Sequence, residues 1–99
     1  MDETISVRIP RNKLNEINKI LHYKKMSKSA ILREIVEKGI KEKMLEIALE
    51  KFQNKEASAS KAAKIAGIPL TAFLDVLHSR GINFHYSLDE FKEDIEDLR

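Results

Sequence analysis

Residues 4–9 have the sequence Thr-Ile-Ser-Val-Arg-Ile, in which polar and apolar side chains alternate without interruption. A two-residue period with β-branched side chains predicts a strand with one buried face. Pro10 predicts the end of that strand, because proline cannot donate to a strand ladder. The front half of the chain offers no clear second strand. The simplest predicted partner is the same strand of a second chain, in a two-stranded antiparallel ribbon.

The two faces of the predicted strand suggest different roles. The apolar face is expected to form the core of a homodimer, and it consists of Ile5, Val7 and Ile9. The outer face presents hydrogen-bonding groups, from Thr4, Ser6 and Arg8. A ribbon fits the major groove of DNA, where arginine binds guanine through two hydrogen bonds and hydroxyl groups bind several bases. We therefore predict that the outer residues contact bases; the alternative is a half-buried strand with ordinary polar side chains.

An amphipathic helix is predicted for about residues 11–23. Its apolar stripe recurs at helical spacing, at Leu14, Ile17 and Leu21. Residues 24–26 form the predicted connection to a second helix.

The second helix is expected to start beside Ser27, a good N-cap, with Ser29 as the alternative cap. Its apolar side continues to Phe52. Gly39 interrupts the pattern, so the sequence leaves open one long helix or two helices that meet there.

The start of the second helix is a candidate phosphate site formed by Ser27, Lys28 and Ser29. Free backbone N–H groups and the positive end of the helix dipole favour an anion there, and Lys28 adds a full charge. Such contacts would fix the position of the protein on DNA without selecting a sequence. The alternative interpretation is an ordinary helix cap.

This order of strand, helix, serine-capped turn and helix resembles the ribbon-helix-helix repressors of the Arc and MetJ type. The resembling residues are Ile5-Ser6-Val7-Arg8-Ile9-Pro10, the stripe Leu14, Ile17 and Leu21, and Met26-Ser27-Lys28-Ser29-Ala30-Ile31-Leu32-Arg33. The resemblance covers about the first half of the chain and implies a homodimer that inserts its paired strands into the major groove. The family usually has glycine in the turn between the helices, where this chain has Lys25. A lysine is less readily accommodated in a left-handed conformation.

Charge is distributed unevenly over the 99 residues. Residues 4–28 contain seven basic residues against Glu16 alone, whereas residues 88–99 contain six acidic and two basic residues. A basic front segment is typical of a phosphate-binding surface, although a solvated surface has the same signature. The chain has no cysteine, no apolar run near the length of a membrane span and no apolar leader, so we expect a cytoplasmic protein.

The back half predicts a small helix-turn-helix-like unit. Helices are expected over residues 60–66 and 70–79, a short strand over residues 82–86, and an acidic amphipathic helix near the end. The spacing of Ala63, Gly67, Phe73 and Val76 is typical of a helix-turn-helix.

The stretch 60–86 resembles an uncharacterised family of short prokaryotic proteins regarded as antitoxin-like and associated with PIN-domain nucleases. The resembling residues are Lys61-Ala62-Ala63-Lys64-Ile65-Ala66-Gly67-Ile68-Pro69, Phe73-Leu74, Arg80-Gly81-Ile82 and His85-Tyr86. The start of the helix over residues 70–79 lacks basic and amide side chains, and Asp75 would repel phosphate. We therefore expect Leu70 and Leu74 to contact a protein partner or a second dimer.

Together these patterns predict a mainly α protein with a ribbon-helix-helix domain over residues 1–53 and a helix-turn-helix-like domain over residues 54–99. The expected function is transcriptional repression by sequence-specific binding to double-stranded DNA. The expected assembly is a homodimer, which either stays a dimer or forms tetramers. The alternatives are an antitoxin, whose acidic segment 88–98 contacts a nuclease toxin, and an architectural protein without sequence preference. No catalytic, cofactor or metal-binding pattern is present, since the three histidines lack ligand spacing and no cysteine joins them. We therefore expect no enzyme.

Overall fold

The computed structural model describes residues 2–84, and the regular secondary structure of these residues is entirely helical. Helix α1 spans Arg11–Lys24, α2 spans Lys28–Gln53, α3 spans Ala59–Ala66 and α4 spans Leu70–Ser79. None of the described helices is long and apolar enough to cross a lipid bilayer.

The predicted N-terminal strand is absent, so the ribbon-helix-helix fold that we expected is wrong for this chain. Residues 4–9 have no regular secondary structure, and their side chains are exposed. The physical reason is that a strand is held by hydrogen bonds to a neighbouring strand. Nothing between residues 2 and 84 supplies one. The short strand predicted for residues 82–86 is also wrong over residues 82–84, and His85 and Tyr86 lie outside the described residues together with the predicted acidic helix.

Helix α1 confirms the amphipathic helix that the sequence predicts. Leu14, Ile17 and Leu21 are half-buried, whereas the other side chains of the helix are exposed. The helix ends at Lys25, whose φ of 53° and ψ of 42° are left-handed and whose N–H donates to the Leu21 carbonyl at 3.0 Å. This is the αL type of helix end, formed here by lysine where glycine is usual.

Helix α2 is one continuous helix of 26 residues, which decides between the two alternatives at Gly39. Ser27 is its N-cap, because the Ser27 Oγ accepts a hydrogen bond from the Ala30 N–H at 3.1 Å. Such a cap stabilises a helix by about 0.5–2 kcal/mol. A Cβ added at Gly39 would have no neighbouring atom within 4 Å, so close packing does not require glycine there.

The second half of α2, α3 and α4 share one small core. Phe73 and Leu77 of α4 are its largest fully buried side chains. They pack with Ala48 and Leu49 of α2 and with the small residues of α3, which are Ala59, Ala62, Ala63 and Ala66. The Phe52 ring meets the Phe73 ring edge to face, with centroids 5.7 Å apart. Burial of a phenylalanine or leucine side chain contributes about 1.5–3 kcal/mol, so these two residues hold the three helices together.

The turn between α3 and α4 confirms the role expected of Gly67. Ser58 caps α3 by accepting from the Lys61 N–H at 3.2 Å. Gly67 ends the helix at φ 71°, and the Ile68 N–H donates to the Ala63 carbonyl at 3.1 Å. This is a Schellman helix end, which favours glycine at the left-handed position.

The chain divides into two compact units, Met1–Glu37 and Lys38–Arg99. This division of the chain falls within α2. Residues 1–37 are the N-terminal unit and residues 38–99 the C-terminal unit.

Candidate nucleic-acid interface

The residues predicted to contact bases are all available at the surface. Thr4, Ser6 and Arg8 are exposed, as are the three apolar residues that alternate with them. Ile5 is 84%, Val7 73% and Ile9 44% exposed. In the single chain both the polar and the apolar residues of this segment are exposed, so the segment lacks the one buried face that its alternation predicts. Its role in binding therefore stays a prediction.

The candidate phosphate site lies at the start of α2. The Ser27 hydroxyl is engaged in capping and accepts from Ala30, so it stabilises the helix end. The side chains of Lys28 and Ser29 are exposed in the first turn. The first N–H groups of a helix have no acceptor within the helix. Lys28 and Ser29 can therefore offer their N–H groups and side chains to an anion.

Electrostatically, the front of the chain is basic and its charges are accessible. All seven lysine and arginine residues between positions 4 and 28 are exposed. The carboxylate of Glu16, the single acidic residue in that range, is paired with Lys13 Nζ at 3.3 Å. An exposed cationic surface of this kind attracts polyanions at ordinary salt concentrations.

The N-terminal unit buries very little apolar surface. Helix α1 has no buried residue, and Ile31 of α2 is the one buried hydrophobic residue described in this unit. The exposed large hydrophobic residues of the unit are Ile5, Val7, Ile9, Ile20, Tyr23, Met26, Ile35 and Val36. Exposure of so many apolar side chains in a small unit is typical of a surface that another molecule covers.

The outer side of α1 carries a polar face that our reasoning from the sequence missed. A shallow depression on it is lined by Asn15, Asn18, Lys19, His22 and Tyr23. The rings of His22 and Tyr23 meet edge to face, with centroids 5.6 Å apart. The signal was present in the sequence as a run of amide and cationic residues at helical spacing, opposite the apolar stripe.

Leu70 and Leu74 of the C-terminal unit were expected to be exposed for contact with a partner. Both are half-buried and pack against the core of their own unit. Thr71 and Asp75 are exposed on the same helix. The exposed part of α4 therefore offers little apolar surface at these two leucines, and their contact with a partner stays a prediction.

The described residues contain no group of three or more histidine or acidic side chains that could hold a metal ion. No cysteine is present in the sequence.

The comparison with protein families gives a match over most of the chain. Residues 27–99 match the model of an uncharacterised protein family, UPF0175. The N-terminal resemblance to ribbon-helix-helix proteins has no counterpart in these matches, whereas the matched range includes the stretch 60–86 that resembled an uncharacterised prokaryotic family.

Two curated relatives carry the same family name. A UPF0175 protein of Aeropyrum pernix is 44% identical over 52 residues, which are 52% of this chain and 58% of the relative. A UPF0175 protein of Synechocystis sp. is 35% identical over 54 residues, which are 54% of this chain and 61% of the relative. The matches thus span about 60% of the length of these relatives. No solved structure matches the chain. Because the family model covers residues 27–99, the chain belongs to the UPF0175 family.

Proposed function

We propose that the chain is a homodimeric DNA-binding regulator that contacts double-stranded DNA through its N-terminal unit. The observation that carries the proposal is the exposed basic surface of residues 4–28, where seven cations face solvent and Glu16 is paired with Lys13. The proposal rests on charge and exposure and uses no strand. A cytoplasmic location and the absence of an enzymatic activity are part of it.

The proposed dimer follows from the unburied apolar surface of the same unit. Apolar area removed from water contributes about 25 cal/mol per Å², and the single N-terminal unit buries little of it. A second copy offers the same exposed apolar residues, so that both copies gain from covering Ile5, Val7 and Ile9. Thr4, Ser6 and Arg8 are exposed in the same segment, and we propose them as the residues that contact DNA.

Two kinds of DNA contact are proposed. Arg8 contacts a base, because its guanidinium can donate two hydrogen bonds to guanine. Lys28 and the first N–H groups of α2 contact a phosphate and fix the position of the protein on the duplex. Sequence preference, and therefore repression of a particular gene, depends on the first kind of contact.

The test is binding of the full chain to duplexes selected from a random pool, measured by fluorescence anisotropy over a series of salt concentrations. Arg8→Ala is expected to cost about 1–3 kcal/mol at the selected site and to relax preference at one base position. Lys28→Ala is expected to weaken binding to all duplexes alike and to reduce the slope of log K against log salt by about 0.9.

Lys43→Ala is the matched control, because Lys43 is an exposed lysine of α2 that is paired with Glu46 in the C-terminal unit. It is expected to bind like the parent chain. If Arg8→Ala and Lys28→Ala also bind like the parent at low salt, the proposed interface is wrong.

A second role, binding of a nuclease toxin by the C-terminal unit, is supported by the extent of the family match. The match begins at residue 27 and leaves out the segment that holds Arg8. The sequence shared within the family therefore lies in α2 and the residues after it. We propose that this shared region, which does not include Arg8, binds a protein partner. Co-expression with a small nuclease from a neighbouring gene tests this role: the full chain should co-purify with the nuclease and inhibit it. An unbound, fully active nuclease contradicts it.

A further inference from the structure

The outer face of α1 has a composition that is unusual for a solvated helix. Exposed residues on one side of the helix are Arg11, Asn12, Asn15, Asn18, Lys19, His22 and Tyr23. At 3.6 residues per turn they cover about 140° of the helix circumference, opposite Leu14, Ile17 and Leu21. No carboxylate lies within this arc, and Glu16 at its edge is paired with Lys13.

We infer that this α1 face is a second phosphate-binding surface, which contacts the DNA backbone in addition to the contacts proposed for Arg8 and Lys28. The inference rests on the proposed DNA-binding function. Arginine, lysine, asparagine and tyrosine side chains all donate to phosphate oxygens in protein–DNA complexes. The face offers these groups together, and a shallow depression between Asn15, Lys19 and His22 provides a concave place for a phosphate.

The dimensions of the face agree with the spacing of a nucleic-acid strand. From Arg11 to His22 the helix rises about 16 Å, at 1.5 Å per residue. One DNA strand carries a phosphate for about every 3.4 Å of axis, so α1 is long enough to follow several consecutive phosphates. Lys19 lies in the middle of the face and is expected to make the principal ionic contact.

Other occupants fit the α1 face less well. A protein partner or a membrane surface would be held mainly by apolar anchors. On this face only Tyr23, which is 82% exposed, supplies a large apolar body. Aromatic and amide groups also bind unpaired bases, so single-stranded RNA is the main competing ligand. Two cations, Arg11 and Lys19, and three asparagines outnumber the two exposed rings of His22 and Tyr23 on this face, which favours the phosphate backbone.

The experiment measures binding of the full chain to a mixed-sequence 40-base-pair duplex, as a function of salt concentration. Lys19→Gln is expected to lower the slope of log K against log salt by about 0.9, which weakens binding about eightfold at 0.1 M salt. Asn15→Lys is expected to raise the slope by the same amount and to tighten binding. A gain of affinity cannot result from misfolding.

Matched controls distinguish an effect of the α1 face from a general effect of changing the net charge. Lys43→Gln and Asn54→Lys make the same changes at exposed positions of the C-terminal unit, and they are expected to leave the slope unchanged. If Arg8→Ala and Lys28→Ala impair binding but the α1 variants behave like their controls, the α1 inference is wrong and the proposed function stands.

Two further outcomes overturn the inference in different ways. If the parent chain does not bind duplex DNA, the proposed function fails and the α1 inference fails with it. If single-stranded RNA of the same length binds more tightly than the duplex, and Tyr23→Ala removes that preference, the face binds unpaired bases and the assignment to a DNA backbone is wrong.

Discussion

The Lys25 N–H donates to the Leu21 carbonyl at 3.0 Å and closes α1 with a lysine in the left-handed conformation. Lys55 has a φ of 61° just after the end of α2, where the Glu56 N–H donates to the Lys51 carbonyl at 2.8 Å. Both helices therefore end on a lysine where glycine is the usual residue. The lysine charge compensates in part, because it lies near the negative end of the helix dipole.

Lys25→Gly is expected to stabilise the folded state, because a left-handed conformation costs an L-residue roughly 1–2 kcal/mol and costs glycine little. The gain should grow with salt concentration, since salt screens the favourable effect of the lysine charge. Urea unfolding at 0.05 M and 1 M salt measures both effects. Lys24→Gly is the control, and it should destabilise because residue 24 is helical. A loss of stability in Lys25→Gly would contradict the left-handed helix end.

Gly39→Ala and Gly67→Ala are expected to change stability in opposite directions. In both positions a new Cβ meets no atom within 4 Å, so the backbone conformation decides the sign. Gly39 lies inside α2, where alanine is favoured by about 0.5–1 kcal/mol. Gly67 has a φ of 71°, which an alanine adopts at a cost of roughly 1–2 kcal/mol. Thermal unfolding of the two variants is the measurement, and shifts of the same sign would show that one of the two assignments is wrong.

Val7→Lys is expected to destroy the proposed homodimer, because it places a charge in the apolar surface that the second copy covers. Ser6→Lys adds the same charge one position away and should leave the dimer intact. Analytical ultracentrifugation over a range of concentrations distinguishes the two variants. A parent chain that is monomeric at all concentrations, or a Val7→Lys variant that dimerises normally, would overturn the proposed dimer.

Phe73→Ala is expected to cost about 3–5 kcal/mol, because it empties the centre of the core formed by α2, α3 and α4. The effect should be confined to the C-terminal unit. Hydrogen exchange is the measurement: protection should fall in α3 and α4 and persist in α1. The control is Thr71→Ala on the same helix, whose side chain is exposed and should change stability by less than about 0.5 kcal/mol.

The helices and their ends were predictable from the sequence because they depend on local interactions. Apolar spacing predicted α1 and α4, and Ser27 and Gly67 have the capping and turn roles expected of them. The continuity of α2 through Gly39 was not predictable from the pattern, since a single glycine inside a helix either ends it or is tolerated at a cost of about 1 kcal/mol.

The N-terminal segment was not predictable in the same way, because a strand needs a neighbouring strand and the described residues supply none. Alternation correctly separates the residues of positions 4–9 into two chemical sets, but it cannot supply the hydrogen-bonding partner of a strand. Leu70 and Leu74 illustrate a related difficulty. Their helical spacing does not tell a contact surface from the edge of their own core, and the structure packs both against that core.

The small core of the N-terminal unit has a consequence for how quickly the protein is degraded in a cell. Ile31 is the one buried hydrophobic residue described there, so in the proposed dimer assembly supplies much of the free energy that keeps this unit folded. At low abundance the unit would open and become a substrate for proteases, whereas at high abundance association would protect it. Under this proposal, DNA occupancy would respond steeply to the rate of synthesis, and the half-life of the protein would lengthen as its concentration rises.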